Sequence, residues 1–207
     1  MPELAEVETV RRGLAQYVVG RRIERVEVGR ERSVRRTSAE AVIAGLTGTS
    51  MLRADRRGKY LLCPLDSGDA VMIHLRMSGQ LLIASSDSPR PLHSHVVLTL
   101  ADPVEELRFI DPRTFGEVVV YDPDRAGVEL PELERLGVDP MLDRFDAEVL
   151  SGVLGRTTRG IKTVLMDQHC VAGLGNIYSD EVLHRAGIRF DRPAAGLGHR
   201  RIERLAA

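Results

Sequence analysis

The chain has 207 residues, 43% of them hydrophobic and 29% charged, with a formal net charge of −1. That supports one sizeable core or two small ones in a soluble globular protein. No basic start followed by an apolar run marks a secretory leader and no apolar segment could span a bilayer, so no membrane association and a cytoplasmic location are expected. The two cysteines, Cys63 and Cys170, lie far apart without metal-ligand spacing and read as buried thiols.

The near-neutral charge conceals an uneven distribution. Arginines crowd the first third, from Arg11 to Arg57, whereas acidic residues dominate Asp102 to Glu106 and Asp122 to Asp146. A basic face is available to nucleic acid; a merely solvated surface is the alternative. Of the 29 basic residues only Lys59 and Lys162 are lysine. A lysine can lose its proton near neutral pH when its surroundings shift its pKa, and an arginine effectively cannot.

Leu4, Val7, Val10, Leu14 and Val18 recur at helical spacing, with Gly20 after the stop, so an amphipathic helix opens the chain. Ile23 to Val28 alternates as a half-buried strand, and Ala39 to Leu46 is a short helix capped by Ser38. A series of strands follows: Met51 to Asp55, Lys59 to Pro64, Ala70 to Leu75, Gln80 to Ala84, His95 to Leu100, Glu106 to Ile110 and Glu117 to Tyr121. So many short strands after a helix predict a β-sandwich or barrel. Beyond Tyr121 the character changes. Prolines 123, 131 and 140 mark a linker with a short helical piece, followed by helices over Asp146 to Leu154, Lys162 to His169 and Asn176 to Ala186. Ala172-Gly173-Leu174-Gly175 makes a tight turn between the last two, a pattern found in DNA-binding helix pairs. The expected organisation is α+β: an N-terminal β-sandwich domain with its leading helix over 1–125, a linker over 126–145, and a helical domain over 146–207.

Pro2 is the first chemical candidate. Removal of the initiator methionine exposes a secondary amine, and an α-amino group with a pKa of about 8 is partly neutral at physiological pH. Such an amine can attack an anomeric carbon and form an iminium ion, with Glu3 beside it to move the accompanying proton. Taken alone, a proline suited only to the first turn of a helix is by far the commoner reading.

Met1-Pro2-Glu3-Leu4-Ala5-Glu6-Val7-Glu8-Thr9, Arg57-Gly58-Lys59-Tyr60-Leu61 and His74-Leu75-Arg76-Met77-Ser78-Gly79 occur in this order along the chain. Asp111-Pro112-Arg113-Thr114-Phe115-Gly116, Leu136-Gly137-Val138-Asp139-Pro140 and Ile161-Lys162 through Gly173-Leu174-Gly175-Asn176-Ile177-Tyr178 to Glu181 follow them. Together these blocks resemble the formamidopyrimidine-DNA glycosylase family, bacterial base-excision enzymes with lyase activity. The resemblance implies Pro2 as the Schiff-base nucleophile, Glu3 as its proton-transfer partner and Lys59 as proton donor in strand cleavage, with a plain phosphate contact as the alternative for Lys59. It implies Met77, Arg113 and Phe115 as the residues that fill the gap left by an extruded base. His74, His93, Arg113, Lys162 and Asn176 are implied DNA contacts, the last at a helix start that favours anions. The implied partner is damaged double-stranded DNA at the nucleoid, bound by a monomer, and the implied helical domain is of the helix-two-turn-helix kind.

Departures from the family pattern also carry expectations. Ala5 stands where a second proline is usual, and Thr114 replaces a frequent arginine. The family continues past the equivalent of Ala207 with another helix, a loop over the extruded base and a four-cysteine zinc finger. The helical domain is therefore expected to be truncated and to leave apolar surface uncovered, with no cofactor held by the residues present. Weakened glycosylase activity with better-kept abasic-site cleavage follows. The alternatives are a non-catalytic damaged-DNA-binding protein, or an inactive truncated paralogue without a stable fold. Specificity for oxidised pyrimidines is less favoured, because Leu4 and Glu6-Val7-Glu8-Thr9 resemble the purine-directed branch.

Overall fold

The computed structural model describes residues 2–155 and 157–207. The chain divides into two compact units, Met1–Pro131 and Glu132–Ala207.

In the first unit, α1 (Leu4–Tyr17) buries Leu4, Val7 and Leu14 and is followed by Gly20 at φ +82°. The strands are β1 (Ile23–Val28), β2 (Asp55–Arg57), β3 (Tyr60–Pro64), β4 (Ala70–His74), β5 (Gln80–Ser85), β6 (Ser94–Leu100), β7 (Glu105–Ile110) and β8 (Glu117–Tyr121). They form two antiparallel sheets in the orders β1-β6-β7-β5 and β2-β3-β4-β8. Val71, Ile73 and Val118 from one sheet meet Leu81, Val96, Leu98, Leu107 and Phe109 from the other, so the core lies between the sheets as in a sandwich. The helix α2 (Ala39–Leu46) lies against β1 and β8, and its N-cap Ser38 accepts the Ala41 N–H at 3.1 Å. The helix α1 lies against β2 and β3.

Two expectations change here. Met51 to Asp55 is not a continuous strand. Met51 makes one isolated bridge with Leu65, and the Ala54 carbonyl is taken instead by the Arg11 guanidinium of α1 at 3.1 Å, so the ladder begins only at Asp55. A 3-10 turn at Glu31–Val34, absent from the sequence reading, buries Ser33 and Val34.

The segment after β8 holds a 3-10 turn at Pro123–Arg125 and the one-turn helices α3 (Ala126–Glu129) and α4 (Pro131–Glu134). The second unit is helical: α5 (Ala147–Leu154), α6 (Ile161–Met166), α7 (Asn176–Ala186) and α8 (His199–Ala206). Asp146 caps α5 by accepting the Val149 N–H at 3.0 Å, and Gly187 ends α7 in the left-handed conformation. The helix α6 stops at Met166 rather than continuing to His169. The Asp167 carboxylate accepts the His169 N–H at 3.0 Å, and the Asp167 carbonyl accepts the N–H groups of Cys170 and Val171 at 2.8 and 3.0 Å, which turns the chain out of the helix. The unread helix α8 buries Ile202 and Leu205 against a core that includes Leu150, Leu165 and Leu183. An apolar groove of about 240 Å³ remains beside it, lined by residues such as Phe145, Leu174, Val182 and Ala207.

Candidate functional site

Pro2 and Glu3, the amino-terminal candidates, lie at the start of α1. Glu3 is its N-cap, 1% exposed, and its backbone N–H donates to the Glu6 carboxylate at 3.0 Å in a capping-box arrangement. The start of the helix, and with it the half-buried Pro2, therefore has a defined direction.

Lys59 lies in the two-residue turn between β2 and β3, after Gly58 at φ +55°, and not in the strand expected to begin there. It is 7% exposed. Burial lowers its ammonium below the ordinary lysine value, while the neighbouring charge of Glu3 pulls it back up. Glu3 and Lys59, 56 positions apart in the sequence, thus share one electrostatic environment.

What holds α1 to that turn was not read from the sequence. Glu8, on the buried face of α1, accepts from Arg11 at 2.9 Å through each carboxylate oxygen, from Arg12 at 3.0 Å and from Arg56 at 3.3 Å. The hydrogen bond from Arg11 is the main reason its carboxyl is held down at about 2; burial opposes this, and Arg12 and Arg56 add to it. The fully buried Arg56 side chain also donates to the Gly58 carbonyl at 2.9 Å, so one guanidinium ties α1 to the turn that carries Lys59.

The proposed gap-filling side chains are exposed. Met77 is 45% and Phe115 36% accessible, and the Arg113 guanidinium stands 4.9 Å from the Phe115 ring centre. Their turns are braced by Glu117, whose buried carboxylate is bound by Arg35 and Arg36 at 2.6 Å and by Arg76 at 2.8 Å. Burial raises its pKa, but the bonds from Arg36 and Arg76 outweigh this and leave it below the usual glutamate value. Arg35 also donates to the Phe115 carbonyl at 3.2 Å, and Arg32 to that of Thr114 at 3.2 Å.

The histidines separate. His74 is buried against the Tyr60 ring at 4.4 Å, and its Nδ1 accepts the Arg76 N–H at 2.9 Å. Burial, then the Arg76 charge, push it down to about 3, so it is neutral with its proton on Nε2. His93 is exposed at φ +68°, whereas the buried His95 bonds the Asp111 carbonyl at 2.9 Å.

In the second unit, Lys162 on α6 pairs with Asp180 on α7 at 2.7 Å. Asn176 is exposed at the first position of α7, whose N-cap Gly175 has no side chain to place over the helix end. Gln168 holds the turn before it, accepting from Gly173 N–H at 2.9 Å and donating to the carbonyls of Met166 and Leu174 at 2.9 and 2.7 Å. Gly173 at φ +100° suits that turn. Among the described residues no group of three or more His, Cys, Asp or Glu is placed to hold a metal ion, and no helix is long and apolar enough to cross a membrane.

The α1-led sandwich that buries Glu3 and Lys59, and the helical unit built on a glycine turn, each match a domain of a class of DNA-repair glycosylase. Residues 1–118 match the formamidopyrimidine-DNA glycosylase N-terminal domain and residues 136–207 the helix-two-turn-helix domain of the same enzymes. The chain is 48% identical to formamidopyrimidine-DNA glycosylase of Salinispora arenicola over 95% of its own length and 69% of the relative's. It is 44% identical to that of Moorella thermoacetica over 99% and 74%. The structure superposes on Lactococcus lactis Fpg in complex with abasic-site DNA with a TM-score of 0.90 and 36% identity, covering 99% of this chain and 74% of that one. A complex of the same protein with a FAPY-dG-containing DNA gives 0.90 and 36%, covering 99% and 76%. The chain belongs to the formamidopyrimidine-DNA glycosylase family.

Proposed function

We propose that this chain excises oxidised purines, 8-oxoguanine and formamidopyrimidines, from damaged double-stranded DNA and then cleaves the abasic site, using the amine of Pro2. The observation that carries this reading is the buried Glu3, adjacent to Pro2, within electrostatic reach of the buried Lys59.

Once Met1 is removed, the neutral Pro2 nitrogen attacks C1′ of the extruded nucleotide. The C1′–N bond to the base breaks and the base leaves with a proton. Glu3 delivers a proton to the ring oxygen as the sugar opens, and a cationic iminium joins Pro2 to C1′. The iminium acidifies C2′; loss of that proton expels the 3′ phosphate, and a second elimination expels the 5′ phosphate. Lys59, eased toward deprotonation by burial, supplies a proton in strand cleavage. Met77 and Phe115 wedge into the vacated stack and Arg113 bonds the orphaned base. His93, Lys162, Asn176 and the Nε2–H of His74 contact the backbone. A zinc, where the family carries one, supports a finger's fold and its DNA grip. The cysteines here do not fit that role, because burial pushes the Cys63 thiol up to about 12 and Cys170 lies in the other unit. The enzyme acts in the cytoplasm at the nucleoid.

Borohydride reduction on abasic duplex DNA tests the reading. A covalent adduct is expected with the unsubstituted protein and its loss with Pro2→Gly. DNA binding by a folded sample without any adduct selects a non-catalytic damage reader instead. Lys59→Arg is expected to keep DNA binding while strand cleavage falls by about a hundredfold or more; equal loss of both makes Lys59 a phosphate contact only.

A further inference from the structure

Asp111 joins three separate segments into one surface. Its carboxylate is fully buried at the end of β7. One oxygen accepts from the Ser78 hydroxyl and from the Arg113 N–H at 3.2 Å, and the other from the Gly116 N–H at 2.7 Å. Ser78 Oγ itself accepts the Arg113 N–H at 3.3 Å. Through its backbone, Asp111 donates to the His93 carbonyl at 3.0 Å and accepts from Thr114 N–H at 3.1 Å. The segments so tied carry Met77, Arg113 with Phe115, and His93.

The surrounding chain leaves little freedom to improvise this arrangement. A Cβ at Gly116 would stand 2.5 Å from the Phe109 ring and 3.0 Å from the His74 carbonyl, and one at Gly79 2.5 Å from the Leu75 carbonyl. Arg76 at φ +52° and Thr114 at φ +55° hold left-handed conformations that side-chain-bearing residues rarely adopt, and a β-branched threonine least readily. Such turns persist only where their surroundings over-determine them, and here the partners of Asp111 do so. All the side-chain partners are hydrogen donors, which a carboxylate matches and an amide, with one acceptor oxygen, does not.

We propose that Asp111 is a positioning residue that fixes Met77, Arg113 and Phe115 at one mutual spacing before DNA arrives. The three then enter the vacated stack as a preformed unit. Ordering the turns in advance removes that cost from the base-extrusion step. This inference rests on the gap-filling reading of those three residues and adds the device that presents them.

The test compares two DNAs: 8-oxoguanine opposite cytosine in a duplex, where extrusion needs a wedge, and an abasic site in a single strand, where it does not. Asp111→Asn and Ser78→Ala, the second a milder change that keeps the buried carboxylate, are expected to slow single-turnover excision by about tenfold or more. Cleavage of the single-stranded abasic site stays within about twofold. Equal loss on both DNAs, or undiminished excision in both variants, overturns the proposal. Residue-resolved hydrogen exchange supplies a readout independent of activity. If the unsubstituted protein excises nothing, the glycosylase reading fails, yet faster exchange at the Ser78, Arg113 and Gly116 amides together in Asp111→Asn upholds the positioning role and unchanged exchange overturns it.

Discussion

The two units use charge in different ways. In the β-rich unit three buried carboxylates each hold several arginines, at least one of them from a separate element: Glu8 with Arg11, Arg12 and the distant Arg56, Glu106 with Arg108 and the more distant Arg90, and Glu117 with Arg35, Arg36 and Arg76. In the helical unit several described ion pairs are local and solvated, as in Arg144 with Asp146 and Glu148 or Arg189 with Asp191, the longer-range pair of Lys162 with Asp180 is partly exposed, and the turn before α7 is held by the neutral amide of Gln168. The difference follows from what each is proposed to present. The proposed nucleophile, proton donor and wedge need the turns that carry them held by buried charges, which have few alternative partners in low-dielectric surroundings. A surface offering helix-end N–H groups to phosphate needs only correct backbone geometry.

The contrast can be broken most forcefully at Arg56. Replacing it with alanine removes a buried guanidinium from Glu8 and from the Gly58 carbonyl, and is expected to destabilise the β-rich unit by about 3 kcal/mol, the low end for a broken buried pair because Arg11 and Arg12 remain on Glu8. Denaturant unfolding measures it, and a loss below about 1 kcal/mol contradicts a structural clamp.

In the helical unit the comparable weak point is backbone. A Cβ at Gly137 would lie 2.3 Å from the Cys170 carbonyl oxygen, beside the parallel bridge of Val138 with Val171. Gly137→Ala is expected to cost about 3 kcal/mol, and hydrogen exchange should confine the loosening to Glu132–Ala207.

Acid should separate the units further. His74 is neutral and depressed to about 3, so the unfolded chain binds its proton first, and stability falls as pH drops below the ordinary histidine value of 6.5. Glu8, depressed to about 2, contributes stability present above its ordinary 4.5 and lost as pH falls from there toward 2. Between pH 6 and 4.5 the β-rich unit is expected to lose at most about 1.4 kcal/mol per pH unit from His74 alone, a slope that His74→Gln should flatten. Calorimetry across this range checks it.

The smallest effect belongs to Lys162 and Asp180. Their pair is partly exposed, so Asp180→Asn should change stability by only about 0.2–1 kcal/mol. It should also release the lysine and tighten DNA binding at low salt. Weaker binding would mean that the pair aligns α6 for contact.

Much of this was legible in the sequence, because period and punctuation are local. Ser38 and Asp146 mark helix starts, β8 keeps the bounds Glu117 to Tyr121 read for it, and Gly173 marks the turn before α7. What escaped depends on distant partners. Glu8 resembles any solvated helix glutamate until Arg56, 48 residues away, lies over it. The helix α8 follows Gly196-Leu197-Gly198 and carries only Ile202 and Leu205 as inward apolar anchors, too thin a stripe to read without the core it covers. Met77 and Phe115 would be core residues by composition alone; their exposure depends on turns drawn together by Asp111 and Glu117.

The most direct measurement is peptide mapping of the borohydride-reduced adduct by mass spectrometry. A deoxyribose remnant on the peptide that begins at Pro2, with Met1 gone, is the predicted result. A remnant on the peptide containing Lys59 or Lys162, or an amino terminus that keeps Met1 in an active sample, contradicts it.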